Sequence, residues 1–312
     1  MELALVLAQQ VAIMFLLISV GIVCERKGII TLEAAKNFCN FLLIVIIPLL
    51  SIKSLHRDKE PELMQGFWVA FGFSVVFHIV AIVIATLAIP KREDVQYRAE
   101  RLATVFSNCG FIGFPLVTAA LGAEGLFYAA AFNGVFVLLS WSYSSSVLSG
   151  KTTLNFKKLL WNPGVIGFAV GMLLFFTGLR LPAIPEAVME NLYVVNAPLS
   201  MVITGVILSR IKLRETLTDW RIYRAALLRV LVIPLTVIGL AWALGIGKWS
   251  SSARIAILAS VICCSCGSGI SCILMPARFG GDSETGAKIV GVSTTMTLVT
   301  LPLIILLTDA IL

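Results

Sequence analysis

Thr104-Val105-Phe106-Ser107-Asn108-Cys109-Gly110-Phe111-Ile112-Gly113-Phe114-Pro115-Leu116 is an apolar helical segment broken near its middle by residues that a membrane helix normally avoids. A second break follows at Cys263-Cys264-Ser265-Cys266-Gly267-Ser268-Gly269-Ile270-Ser271. Inside a bilayer a broken helix leaves backbone N–H and C=O groups unpaired. That is tolerated only where the break is buried in protein or lines a watery cavity. Paired breaks in corresponding positions of two halves point to a carrier's binding site.

The bulk composition agrees with this reading. Of 312 residues, 59% are hydrophobic and 13% charged, and the mean hydropathy is +0.98. Soluble domains carry about 25% charged residues. The chain is therefore expected to be an all-α polytopic membrane protein. A spanning helix needs about 20 apolar residues, so ten spans with short loops use the whole length. The net charge of +7 is not read as nucleic-acid binding, because its meaning depends on the side of the membrane that it faces. Met1-Glu2-Leu3-Ala4 lacks a basic n-region and a small-residue cleavage site, and reads as the start of a retained first span.

Spans are expected at about 3–24, 34–52, 66–89, 102–121, 125–148, 162–179, 187–208, 223–244, 253–279 and 285–307. Of the 24 Lys and Arg residues, only Lys53, Arg57, Lys59, Arg180, Lys248 and Arg254 then fall on the outer side, and Arg229 lies inside span 8. The rest, including Lys151, Lys212, Arg214 and Arg278, gather on the other side. The positive-inside rule makes that side cytoplasmic and puts both termini outside. Trp68, Trp161, Trp220 and Trp249 fall at span ends, as interfacial aromatics do.

The halves echo each other. Pro48 in span 2 matches Pro198 in span 7, and the span 4 break matches the span 9 break. The expected division is residues 1–150 and 151–312. Five spans per repeat is an odd number, so the second repeat is inverted.

The candidate substrate-binding residues are Ser107, Asn108, Gly110, Gly113 and Pro115 in the first break and Ser265, Gly267, Ser268 and Gly269 in the second. Asn108 offers two donors and an acceptor. The glycines let a ligand approach the backbone, and Pro115 can open a new half-helix. The competing reading is a kinked helix whose small residues pack against a neighbour. Cys263-Cys264-Ser265-Cys266 could suggest a soft-metal site. No histidine is near, and the spacing is not that of Cys-x-x-Cys pairs, so buried packing cysteines are expected; no metal or cofactor is. No Asp or Glu is expected in the middle of a span. Each second half-helix would turn its positive N-terminal end to the midplane, which favours an organic anion. His78 could couple protons or be hydrogen-bonded in helix packing. Arg229 could snorkel to the interface or hold an anionic substrate or lipid. The coupling-ion candidates are H+ and Na+.

Four blocks carry a family resemblance: Ser107 to Leu116, Asn162-Pro163, Ala197-Pro198-Leu199-Ser200-Met201-Val202-Ile203-Thr204-Gly205, and Phe279-Gly280-Gly281-Asp282 followed by Val292-Ser293-Thr294-Thr295. Together they resemble the auxin efflux carrier family, which also contains bacterial malate and malonate permease-like proteins. The short link between spans 5 and 6 is similar to the compact prokaryotic type. The resemblance implies two inverted five-span repeats with crossed, broken spans 4 and 9. It also implies a scaffold of spans 1, 2, 6 and 7 and a moving transport domain of spans 3–5 and 8–10, working as an elevator. One departure is that many relatives place a proline at the span 9 crossing, where this chain has Gly267-Ser268-Gly269.

The expected function is secondary active transport of a small organic anion, such as a dicarboxylate or an auxin-like acid, across the plasma (inner) membrane. The expected partners are that anion, the lipid bilayer and, in a homodimer, a second copy of the chain. An anion channel or a solute-sensing membrane protein is the alternative. No Cys/His or Ser/His pair is placed for nucleophilic catalysis, so an enzyme is not expected. Reporter fusions after Lys91, Arg214 and Leu312 test the topology. The first two should report cytoplasm and the third the outer side; a cytoplasmic signal after Leu312 contradicts an even number of spans from an outside start.

Overall fold

The structure, a computed structural model, describes residues 2–150, 156–211, 213–279 and 281–312. Lys151 and Lys212 of the basic loops and Gly280 of the fourth block lie outside the described residues. Among the described residues the chain is helical apart from one isolated antiparallel bridge. The helices are α1 (Glu2–Arg26), α2 (Leu32–Phe41), α3 (Ile47–Leu55), α4 (Pro61–Ala88), α5 (Gln96–Val105), α6 (Phe114–Ser149), α7 (Phe156–Leu160), α8 (Pro163–Thr177), α9 (Ala183–Leu208), α10 (Leu213–Thr218), α11 (Trp220–Leu227), α12 (Ile233–Ala243), α13 (Ser251–Ser265), α14 (Ser271–Phe279) and α15 (Ser283–Ile311).

Seven helical segments, rather than ten, are each long and apolar enough to cross a membrane: Leu5–Arg26, Leu32–Leu55, Pro61–Ala88, Cys109–Ser149, Ala183–Leu208, Trp220–Ala243 and Ser283–Ile311. Pro163–Thr177 and Ser251–Ser265 are shorter apolar helices. The difference has a physical origin. Each break splits an apolar stretch into pieces too short to span alone. Conversely, α6 fuses two expected spans end to end, with Gly122 at φ +63 marking the corner between them. Only glycine adopts that left-handed conformation without penalty.

The proline pattern shapes the remaining spans. Three π-helical turns, Leu42–Ile46, Cys109–Gly113 and Leu228–Val232, each end two residues before a proline: Pro48, Pro115 and Pro234. Proline lacks an N–H, and its ring presses on the preceding turn. A widened turn relieves that pressure, and such π-bulges concentrate at functional positions. Asn162 caps α8 by accepting from the Gly164 and Val165 N–H groups, and Asp282 caps α15 by accepting from those of Glu284 and Thr285. Two of the family-like blocks are thus helix starts.

Helices α1, α2, α3, α8 and α9 pack on one another; α4, α5, α6, α11, α13, α14 and α15 form a second group. In the first group α1 and α9 touch backbone to backbone. A Cβ on Gly21 would lie 2.0 Å from the Val202 carbonyl oxygen, and one on Gly205 would lie 2.0 Å from that of Ile18. Small residues permit this approach, which drives association where lipid removes the hydrophobic incentive. Trp68, Trp161, Trp220 and Trp249 are exposed, as interfacial residues should be. Gly21→Val should therefore cost at least the ~1–3 kcal/mol typical of overpacking, read as a lower melting temperature in detergent. A mutant that melts like wild type contradicts the close α1–α9 contact.

Candidate substrate site at the helix crossing

Helix α5 ends at Val105 and α13 at Ser265, and the residue after each, Phe106 and Cys266, is extended. The two extended stretches run antiparallel and pair through Ser107 and Ser268. The Asn108 N–H donates to the Gly267 carbonyl at 2.8 Å, and the Gly269 N–H donates to the Phe106 carbonyl at 3.0 Å. Each break thus gives the other hydrogen bonds that the interrupted helix withholds. Gly267 and Gly269 are needed for closeness rather than for unusual dihedrals, since neither has positive φ. A Cβ on Gly267 would stand 2.8 Å from the Thr294 nitrogen, and one on Gly269 the same distance from the Ser107 oxygen. The departure from a crossing proline also has a structural reason. The Ser268 N–H donates to Ser293 Oγ at 2.9 Å, and the Gly269 N–H serves the seam. Proline at either place would remove a bond in use.

Arg229 does not snorkel. It is wholly buried, projecting from the π-turn between α11 and α12. Its Nε donates to Cys266 O at 3.3 Å, its Nη1 to Thr104 O at 3.3 Å and Val105 O at 3.0 Å, and its Nη2 to Cys264 O. The guanidinium also lies over the Phe77 ring, 5.1 Å from its centroid. One side chain therefore serves the last carbonyls of both α5 and α13, groups that a helix end always leaves without intrahelical partners.

The rest of the predicted site divides by role. Ser268 Oγ donates to Ala103 O at 2.6 Å, so its hydroxyl is structural. Ser265 Oγ sits 3.9 Å from Cys264 Sγ. Gly113 faces Cys263 and Gly110 faces Ile47, and Pro115 lies in the first turn of α6. By contrast, Ser107 Oγ and Asn108 Nδ2 are buried without a hydrogen-bond partner. Asn108 stands before the π-turn yet makes no side-chain cap there, so its amide is not spent on the helix start. Asn133 Nδ2, Asn196 Oδ1 and Thr294 Oγ1 are also buried and unpartnered. Sequence reasoning missed these three. Asn133 Oδ1 accepts from Cys109 Sγ at 3.6 Å, and Asn196 Nδ2 donates to Gly110 O at 3.2 Å, so both amides touch the π-turn that follows the first break. Their signal was an isolated amide within an apolar helix, a functional flag in a membrane. Each unmet buried donor or acceptor costs roughly 1–3 kcal/mol, which a polar ligand would relieve.

His78 is buried on α4 among the rings of Phe77, Phe106, Phe132 and Phe136. Its Nδ1 is 2.7 Å from Ser74 O, so that nitrogen carries the proton and donates; Nε2 is left as an unpartnered acceptor. One buried acid lies just ahead of the expected start of span 4. Glu100 is fully buried in α5, where it accepts from Arg92 and, at 2.7 Å, from Arg224 Nη2. Arg92, Arg98 and Arg101 lower the local hydropathy, so the sequence set the start of span 4 at Leu102, while the helix begins at Gln96. Beside this cluster, partial burial pulls the Asp94 carboxyl up, but hydrogen bonds from Arg92 and the Tyr97 N–H outweigh it and hold the group below the usual carboxylate range.

A cavity of about 620 Å³ opens between the two helix groups, lined by Lys36 and Asn40 of α2, Trp141 of α6, Ile207 of α9 and Lys288 of α15, with Arg210 just beyond α9. Arg210 pairs with Glu25, and Lys288 with Glu215 and Glu284.

A family model described as membrane transport protein matches residues 6–305. An uncharacterized transporter of Methanocaldococcus jannaschii is 26% identical over 239 residues, covering 72% of this chain and 76% of that protein. An uncharacterized transporter of Methanothermobacter thermautotrophicus is 23% identical over 295 residues, covering 92% of this chain and 93% of that protein.

The seam makes a sharp structural prediction. Ser107 and Ser268 form the non-hydrogen-bonded type of antiparallel pair, with Cα atoms about 4.5 Å apart, inside the disulfide range. In a background lacking native cysteines, Ser107→Cys with Ser268→Cys should cross-link on mild oxidation. Reproducible failure, while surface control pairs react, contradicts the crossing.

Proposed function

The chain belongs to the membrane transport protein family, and on that premise we propose that it is a secondary carrier for a small organic anion, with the helix crossing as its binding site. The observation that carries this reading is the set of buried, unpartnered polar atoms at the crossing, with Asn108 Nδ2 and Asn133 Nδ2 as free donors. Carboxylate oxygens are acceptors only, and they suit such donors. The half-helices that leave the crossing, α6 and α14, start there and carry positive N-terminal ends.

The proposed architecture is ten crossings in two inverted repeats, residues 1–150 and 151–312. The mutual packing of α1, α2, α3, α8 and α9 supports a scaffold, against which the other group moves as an elevator. In the proposed orientation both termini face outward across the plasma membrane. The cavity beside Lys36, Arg210 and Lys288 then opens toward the cytoplasm.

The test uses Asn108→Ala. Purified wild type is screened by thermal shift against dicarboxylates and indole carboxylates, and the mutant is titrated with each hit. Losing a hydrogen bond to a charged group costs roughly 1.5–3 kcal/mol, so affinity should fall about ten- to a hundredfold, with little change in the unliganded melting temperature. A mutant that melts normally and binds with wild-type affinity removes Asn108 from the site. A mutant that melts far lower without ligand makes Asn108 a structural support of the break.

A further inference from the structure

In carriers built on broken helices, the unwound carbonyls and half-helix C-terminal ends are the groups that coordinate a driving cation. Those groups are present here: Thr104 and Val105 end α5, and Cys264 and Cys266 close α13. All four carbonyl oxygens already receive Arg229. Guanidinium is always charged, has five donors and accepts nothing. It also has no carboxylate partner among the salt bridges of the described residues. We propose that Arg229 is a resident cation of the crossing, occupying the carbonyl cage that a coupling Na+ would need, so that binding at the crossing is independent of Na+.

The charge balance favours this role. Each helix C-terminal end carries roughly −0.5 elementary charge, so the ends of α5 and α13 together match one guanidinium. A metal cation added to the same cage would be repelled by that guanidinium and would find its oxygen ligands engaged. The fixed charge also removes the negative helix ends from the field of an incoming anion. Only the positive ends of the opposite half-helices remain exposed to it. Arg229 is thus a positioning residue, acting through the backbone of both breaks. This inference deepens the reading of the crossing as the site, and it rests on that reading for its meaning in transport.

The experiment compares purified wild type, Arg229→Lys, Arg229→Met and Arg229→Ala by thermal unfolding in choline chloride, sodium chloride and choline chloride with millimolar guanidinium or methylguanidinium, all at equal ionic strength. Wild type should melt at the same temperature in sodium and in choline. Arg229→Lys should melt above Arg229→Met, which keeps the length and loses the charge. Arg229→Ala, with its cage opened, should gain a saturable upward shift from guanidinium or from Na+ that wild type lacks. If Arg229→Ala does not fold, the wild-type and Lys-against-Met comparisons decide the matter; a folded Lys variant beside an unfolded Met variant counts as support. A saturable, sodium-specific stabilisation of wild type overturns the proposal. So does equality of the Lys and Met variants, or a folded Arg229→Ala that ignores every small cation. No organic anion is used and chloride is the common counter-ion throughout, so these outcomes stand apart from the fate of Asn108: loss of the organic-anion site alone leaves the cation responses unchanged.

Discussion

A backbone that leaves the helix inside a membrane must find hydrogen-bond partners without water, and the rest of this structure follows from how that requirement is met. The breaks at 106–108 and 266–270 are each other's solution. Neither is stable as a lone interruption, because each would strand polar groups in hydrocarbon at several kcal/mol apiece. Paired through Ser107 and Ser268, they form a two-stranded seam of minimal length. The seam dictates its own sequence. Gly267 and Gly269 stand where any side chain would collide with α15 or with the opposite strand. Ser268 must be able to donate through both its N–H and its hydroxyl.

The seam leaves helix ends unresolved, and there the electrostatics begin. The C-terminal ends of α5 and α13 converge, and two negative ends side by side repel. Arg229 turns that repulsion into attraction by bridging both. A buried guanidinium is expensive on its own. Here the helix ends that it neutralises and the Phe77 ring beneath it replace the solvation it loses. The buried acid of the same region, Glu100, is kept away from this balance by its own pair of arginines, Arg92 and Arg224. What remains uncompensated near the crossing is the positive ends of the outgoing half-helices and a set of unpaired polar atoms, the amide donors of Asn108 and Asn133 among them.

Much of this was legible in the sequence because a break shows in the residue types that permit it: glycine, proline and asparagine weaken a helix wherever they interrupt an apolar run. Asn108, Gly267 and Gly269 were found that way, whereas Asn162 and Asp282 stood out only as parts of the family-like blocks, and their capping role came from the structure. What was not legible depends on contacts distant in the chain. Arg229 reads as a stray cation until α5 and α13 are seen to end beside it. Ser268 reads as a ligand group because its acceptor, Ala103, lies in the other half of the chain. Asn133 and Asn196 were overlooked because a single amide in a long apolar helix does not disturb a hydropathy reading, though it disturbs the energetics of a buried site. Glu100 was lost in the opposite way, since neighbouring arginines made a buried helical turn look like a loop.

The division between helix groups bears on how such a site could be carried across a membrane. Within the second group the seam and Arg229 fasten α5, α6, α11, α13 and α14 into one unit. Within the first, the α1–α9 backbone contact and the seating of Gly167 against Pro48 do the same. Polar ties across the boundary include the Asn196 amide on Gly110 O at 3.2 Å and the Thr118 hydroxyl on Tyr193 Oη at 2.7 Å. A neutral hydrogen bond contributes only about 0.5–1.5 kcal/mol net, so exchanging these two for others costs little. Breaking the seam or withdrawing Arg229 from its carbonyls would strand several buried polar groups at once. By its polar ties the boundary is the cheaper place to part, which is what the proposed movement of one group against the other requires. Asn196 gives that motion a link to the site. Its amide reaches from α9 of the first group to the π-turn after the break, so any displacement of one group against the other would change the polar environment at the crossing.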